Sequence, residues 1–198
     1  YFSLTSNSLS KETKIMEPIL IPLPQGCEEL EAVTIIDLLR RADLEVITAG
    51  LEKGPVKCSR GTVLVPDTTI KDILDKSFSM IVLPGGLAGA DNLDKDPRVH
   101  EIIKKIFANG GFIGAICAAP KVLANIGLLD GKRATAYPGI LKLSNTGLIS
   151  LSEESIVKDG SIITSRGPGT AMDFSLELIQ ILLGKSKRNE VEEKLKRF

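Results

Sequence analysis

Three stretches of this 198-residue sequence hold residues whose chemistry depends on where the chain places them. Gly114-Ala115-Ile116-Cys117-Ala118-Ala119-Pro120 sets a cysteine where an apolar run ends and helical sequence begins. Small residues on both sides permit a sharp strand-to-helix elbow, the geometry that exposes a nucleophile. The free N–H groups and positive dipole end of the new helix would face the sulfur, lowering its pKa and favouring thiolate. The plain alternative is a small buried apolar side chain, a common role for cysteine. Gln25-Gly26-Cys27-Glu28-Glu29-Leu30-Glu31 joins the first strand-like run to the first helical one. Acidic residues in a first turn complement the helix dipole, which accounts for one or two of these glutamates. Glu31 could instead point toward the strand end that carries Cys117. A carboxyl pressed against a thiolate has a raised pKa and donates a hydrogen bond to sulfur. Leu83-Pro84-Gly85-Gly86 also follows a strand-like run, and its glycines would let a ligand or side chain approach backbone N–H groups. The segment GGLAGA lacks the GxGxxG spacing of a dinucleotide loop, which leaves a tight turn as its simple reading.

The elements that must position these residues alternate along the chain. Strand-like runs lie at 18–23, 44–49, 62–65, 79–83, 112–116, 133–137 and 161–165, and helix-period segments at 28–42, 97–109, 118–126 and 169–183. Asp96-Pro97 opens a helix and Gly110-Gly111 closes it. Thr170 and Asp173 have capping-box spacing. Short apolar strands alternating with helices predict an α/β fold with a mostly parallel sheet, whose chemistry sits at the carboxyl ends of strands. A hairpin is expected around Asp159-Gly160, and a charged helix over 185–198 with Val191, Leu195 and Phe198 on one face. The first helix carries Leu30, Ala32, Val33, Ile35, Ile36, Leu38 and Leu39 on more than one face. One sheet covers only one of those faces, so the surplus predicts a two-fold homodimer.

Composition excludes several function classes. Lys+Arg and Asp+Glu are both 25, and a balanced chain lacks the basic surplus of a nucleic-acid binder. Six Phe, two Tyr and no Trp make a base-stacking platform a poor fit. No apolar run reaches the roughly 18 residues of a membrane span. Three cysteines imply no disulfide framework and fit a reducing compartment, the cytoplasm or an organelle. The single histidine, His100, excludes a His-rich metal site; no metal or other cofactor is expected, and His100 is expected at the surface of helix 97–109. Residues 1–15 are polar and Ser/Thr-rich, with no apolar stretch of a secretory signal. They read as a separate N-terminal extension, disordered or loosely docked, before a single domain over 16–198.

Six segments in order carry a family resemblance: GCEELEAV at 26–33, DLLRRA at 37–42, CSRG at 58–61, VLPGG at 82–86, GAICAAP at 114–120 and TSRGPGTAMDF at 164–174. From about Pro18 to Lys185 the chain resembles the DJ-1/PfpI superfamily, in its DJ-1/ThiJ branch and closest in type to its bacterial members. The resemblance implies a flavodoxin-like three-layer sandwich, a mostly parallel sheet with helices on both faces, usually as a homodimer. It makes Cys117 the reactive elbow cysteine and Glu31 the carboxyl that hydrogen-bonds it. The N–H groups of Gly86 and Ala118, beside Gly85, would form an oxyanion pocket. Arg60 and Arg41 match positions lining an anion site at the dimer edge, and Gly167-Pro168 matches a loop walling the pocket near the partner subunit.

Two departures shape the functional expectation. Ala118 stands where the protease-like branch has a histidine, so a peptidase would lack its general base. Tyr137, before Pro138, stands where animal-type members have a histidine, so the Cys/Glu/His set for glyoxalase chemistry lacks its third member. His100, on another helix, does not replace it. The family then implies one of two roles. An enzyme would act on reactive dicarbonyls or their adducts, as a glyoxalase or deglycase in carbonyl and oxidative stress. A non-enzymatic protein would be a redox sensor and chaperone using a Cys117 sulfinate. Cys27 could resolve an oxidised Cys117, although simple packing suits it better, and Cys58 is expected beside Arg60 near a dimer interface.

Overall fold

The computed structural model describes residues 16–141 and 148–197. The expected extension at 1–15 and the apolar contact of Phe198 lie outside the described residues. In chain order the elements are β1 (Ile19–Leu23), α1 (Glu29–Arg41), β2 (Val46–Gly50), β3 (Val56–Lys57), β4 (Val63–Leu64), β5 (Thr68–Thr69), β6 (Met80–Leu83), α2 (Leu87–Lys95) and α3 (Pro97–Ala108). There follow β7 (Phe112–Ile116), α4 (Pro120–Asn125), β8 (Arg133–Ala134), β9 (Ser150–Leu151), β10 (Ile156–Asp159), β11 (Ile162–Ser165), α5 (Ala171–Leu183) and α6 (Lys185–Leu195).

Seven strands form one sheet in the order β10-β11-β7-β6-β1-β2-β5. Its pairings are parallel except for the β10–β11 hairpin, which turns at Gly160 as the Asp159-Gly160 signal predicts. The central strands are buried on both faces, and alternate residues feed two separate cores. Ile19, Ile21 and Leu23 of β1 pack with Ala32, Ile35 and Leu39 of α1 and Phe174 and Ile179 of α5. Leu20 of β1, with Ile81 and Leu83 of β6, packs with Val99, Ile102, Ile103 and Ile106 of α3 and Val122 and Leu123 of α4. The result is the expected three-layer arrangement of helices, sheet and helices.

Local signals hold at some element ends and fail at others. Asp96 caps α3 by accepting the Arg98 N–H at 3.0 Å, and Gly110 at φ 78° helps to stop the helix. The capping box expected at Thr170 does not form. Its hydroxyl bonds Ser165 at 2.7 Å and the Gly167 carbonyl at 2.8 Å, so it closes the preceding turn, while Asp173 pairs with Arg197. The runs at 62–65 and 133–137 shorten to β4 and β8, which pair outside the main sheet with β3 and β9. α2 is a helix where the sequence suggests only a turn. Gly89 sits inside it because a Cβ there would lie 2.7 Å from Cys27 Cα, so the helix packs directly on the backbone of the loop before α1.

Candidate active site

β7, β6 and β1 are neighbours, so the segments that leave their carboxyl ends meet. The first turn of α1 brings Glu31, the loop after β6 brings Gly85 and Gly86, and the residue after β7 is Cys117. Cys117 has φ 63°, the left-handed region that a non-glycine residue occupies only under constraint. Two bonds fix the elbow: the Cys117 N–H donates to the Ser165 carbonyl at 2.9 Å, and the Tyr137 N–H donates to the Cys117 carbonyl at 2.8 Å.

Gly85 is the residue across which the acid and the thiol meet. A Cβ on it would lie 2.7 Å from both Cys117 Cβ and Glu31 Oε2. Its N–H donates to Glu31 Oε2 at 2.7 Å, and its carbonyl accepts the Glu28 N–H at 3.0 Å. Glu31 is fully buried and Cys117 is 8% exposed. Oε1 has no partner of ordinary hydrogen-bond geometry among the described residues, which leaves the Cys117 thiol as the group beside this carboxyl.

Burial pushes the Glu31 carboxyl up to about 7, against the downward pull of hydrogen bonds from Cys117 and the Gly85 N–H. The Cys117 thiol is pushed up to about 12, first by burial and then by the Glu31 charge, while the N–H groups of Gly86 and Ala118 pull it down. Burial and the carboxyl therefore oppose the depression expected from the helix dipole. The helix after the elbow is α4, of only six residues, while burial and the neighbouring carboxyl act against the thiolate. The two groups titrate as a pair, which passes from two protons to one near neutral pH. The mono-protonated pair can present a thiolate held by a carboxylic acid, or a thiol beside a carboxylate base.

Gly85→Ala tests how tightly this contact is set. The added methyl is expected to cost about 1–3 kcal/mol and to force Cys117 and Glu31 apart. Thermal unfolding and the alkylation rate of Cys117 measure the two effects; unchanged alkylation would show that the groups do not act through this contact.

The sequence model of the DJ-1/PfpI family matches residues 17–181. The chain belongs to the DJ-1/PfpI family. It is 42% identical over 173 residues to protein dj-1beta of Drosophila melanogaster, covering 87% of this chain and 92% of that one. The crystal structure of Drosophila DJ-1beta superposes with a TM-score of 0.86 at 40% identity, over 91% of this chain and 98% of the other. The glutathione-independent glyoxalase DJR-1.2 of Caenorhabditis elegans is 38% identical over 173 residues, 87% of this chain and 91% of its own.

The remaining expected residues of this DJ-1/PfpI chain divide into those near the elbow and those away from it. Tyr137 is bonded to Cys117 through the backbone, and Gly167 faces its ring: a Cβ on Gly167 would lie 3.4 Å from Tyr137 Cδ2. Pro168 opens the turn that follows. A cavity of about 350 Å³ runs beside Tyr137 and Pro138 and includes Arg166. Arg166 belongs to the TSRGPGTAMDF segment, but its place as a cation lining that cavity has no sequence signal of its own. Arg41, expected at an anion site on the dimer edge, stands away from the elbow within one chain. It lies ten residues beyond Glu31 on α1, about 15 Å away by helical rise, and its Nε pairs with Asp37 at 2.6 Å. Within one chain it does not line the pocket. Arg60 is exposed, and its backbone N–H is bound by the Glu29 carboxylate at 3.0 Å. Partial desolvation raises Glu29, but its own N–H and those of Arg60 and Thr62 carry it down to about 2, so this residue clamps a turn as well as facing a helix dipole. His100 lies on α3, half-buried rather than at the surface, with Nε2 3.5 Å from Asp94. Cys27 faces Cys58, not Cys117: the two sulfurs are 3.6 Å apart. Among the described residues no three His, Cys, Asp or Glu side chains gather as a metal site, and no helix is long and apolar enough to cross a membrane.

Proposed function

We propose that this chain is a cysteine-dependent enzyme acting on small reactive dicarbonyls such as methylglyoxal, or on their adducts. The observation that carries the reading is the Cys117–Glu31 contact across Gly85, a nucleophile and a carboxyl that share a proton near neutral pH. The Cys117 sulfur adds to the aldehyde carbon, and the carbonyl electron pair moves to oxygen, which takes the proton of the pair to give a hemithioacetal. In this reading the N–H groups of Gly86 and Ala118 steady that oxygen. Glu31, now a carboxylate, removes the hydrogen of the former aldehyde carbon as a proton and returns it to the adjacent carbon, while the hemithioacetal hydroxyl proton passes to the neighbouring oxygen, leaving a thioester with a 2-hydroxyl. Water hydrolyses the thioester, releasing a 2-hydroxy acid and restoring the thiol. Arg166 supplies a cation near the path of that acid. The relative named as a glutathione-independent glyoxalase supports the reading. Conversion of methylglyoxal to lactate by wild type and Cys117→Ala, corrected for buffer-catalysed loss, tests it. Wild type should be faster by orders of magnitude, and equal rates would sink the enzyme.

The pocket of N–H groups at Cys117 favours one second reading, a redox sensor and chaperone. Gly86 and Ala118 direct N–H groups at the sulfur, which suits a sulfinate as well as an alkoxide. This reading predicts sulfinate on Cys117 and protection of client proteins without carbonyl turnover. Either role suits a reducing compartment such as the cytoplasm. We propose a homodimer through α1: Leu30 and Val33, one turn apart, are 52% and 45% exposed. Light scattering at micromolar concentration should give the dimer mass, and a monomer would refute it.

A further inference from the structure

We propose that Cys27 and Cys58 form a reversible dithiol–disulfide pair that ties the start of α1 to the β3–β4 turn, distinct from the chemistry of Cys117. Their sulfurs are 3.6 Å apart, and both thiols are free and buried. Two backbone bonds flank the pair: Gly26 N–H to the Lys57 carbonyl and Ser59 N–H to the Cys27 carbonyl, each 2.8 Å. Glu28 and Glu29 hold the same turn through Ser59 and Arg60. A disulfide has its sulfurs about 2.0 Å apart, so closure from 3.6 Å needs a movement of about 1.6 Å between two segments already held together.

The oxidant is a hydroperoxide. Cys58, 5% exposed against 0% for Cys27, is attacked first. Its sulfur takes one peroxide oxygen to become a sulfenic acid, and the rest of the peroxide leaves as water or an alcohol. The Cys27 sulfur then displaces the sulfenic hydroxyl, which leaves as water with the Cys27 proton, and the S–S bond forms. Burial raises both thiols, and the Glu29 charge adds to this, so the pair reacts slowly and answers sustained exposure. Closure has a route to the candidate site. Added Cβ atoms on Gly86 and Gly89 would lie 3.0 Å and 2.7 Å from Cys27 backbone atoms, so the loop that would move packs against the Gly85-Gly86 segment.

Hydrogen peroxide treatment of the full Cys117→Ser chain, followed by alkylation and non-reducing peptide mapping, tests the pair. Both remaining thiols should lose alkylation in parallel, a Cys27–Cys58 peptide should appear lighter by two hydrogens, and dithiothreitol should restore both. With Cys27→Ser added, Cys58 should give only sulfenic and sulfinic forms. Sulfinate on Cys58 with Cys27 still free, or a link between Cys58 residues of two chains, would overturn the proposal. Should Cys117→Ser not fold, mapping of oxidised wild type decides: a Cys27–Cys58 link upholds the pair, and a Cys27–Cys117 link or no link contradicts it.

Discussion

Glu31→Gln is expected to lower methylglyoxal conversion by about 10²- to 10⁴-fold while Cys117 remains open to alkylation. The amide is close in size to the carboxyl and keeps a donor for sulfur, but at neutral pH it neither releases nor takes a proton. The hemithioacetal can still form, and its hydrogen transfer stalls. Removing the carboxylate also removes its charge and hydrogen bond from the causes that raise the Cys117 thiol, leaving burial opposed by the Gly86 and Ala118 N–H groups. The thiol is therefore not silenced. Turnover assays beside iodoacetamide kinetics separate these effects, and a variant with full turnover would return Glu31 to the role of a helix-dipole partner.

The second large effect is on stability. Glu31 goes from 4.5 as a free carboxyl to about 7 in the fold because burial disfavours its charge. The folded state then holds the proton more tightly than the unfolded state. This contribution is complete below pH 4.5 and is lost as pH rises through about 7. At about 1.4 kcal/mol per pH unit the loss is about 3 kcal/mol. Glu31→Gln lacks the titration, so its stability relative to wild type should improve by that order between pH 4.5 and pH above 7. Denaturant unfolding of both proteins across this range measures the difference, and a constant gap would contradict a buried, raised Glu31.

Much of this was legible in the sequence because it is local. The elbow follows from small residues around Cys117 at the end of an apolar run, and helical spacing puts Glu31 on the face of α1 that also buries Ala32, Ile35 and Leu38. The alternation of β1 between two cores follows from a strand buried on both sides. What was not legible depends on contacts between distant segments. α2 exists despite Gly89 because its backbone needs that glycine against Cys27. The Cys27–Cys58 approach depends on the β3–β4 turn folding back over the start of α1. The upward push of burial on Cys117 cannot be read from its position, because a dipole is visible in sequence and burial is not. Arg41 matches a dimer-edge position by motif, and helical rise carries it to the far end of α1 from Glu31, so any anion site it lines would need a second subunit.

Above all, Cys117 and Glu31 should titrate as one pair. The pH profile of Cys117 alkylation, in wild type and in Glu31→Gln, tests it most directly, with Cys27 and Cys58 excluded by peptide mapping. The wild-type rate should rise through an inflection near 7, as the pair loses its first proton, and Glu31→Gln should show no inflection there. The same profile in both proteins would contradict it.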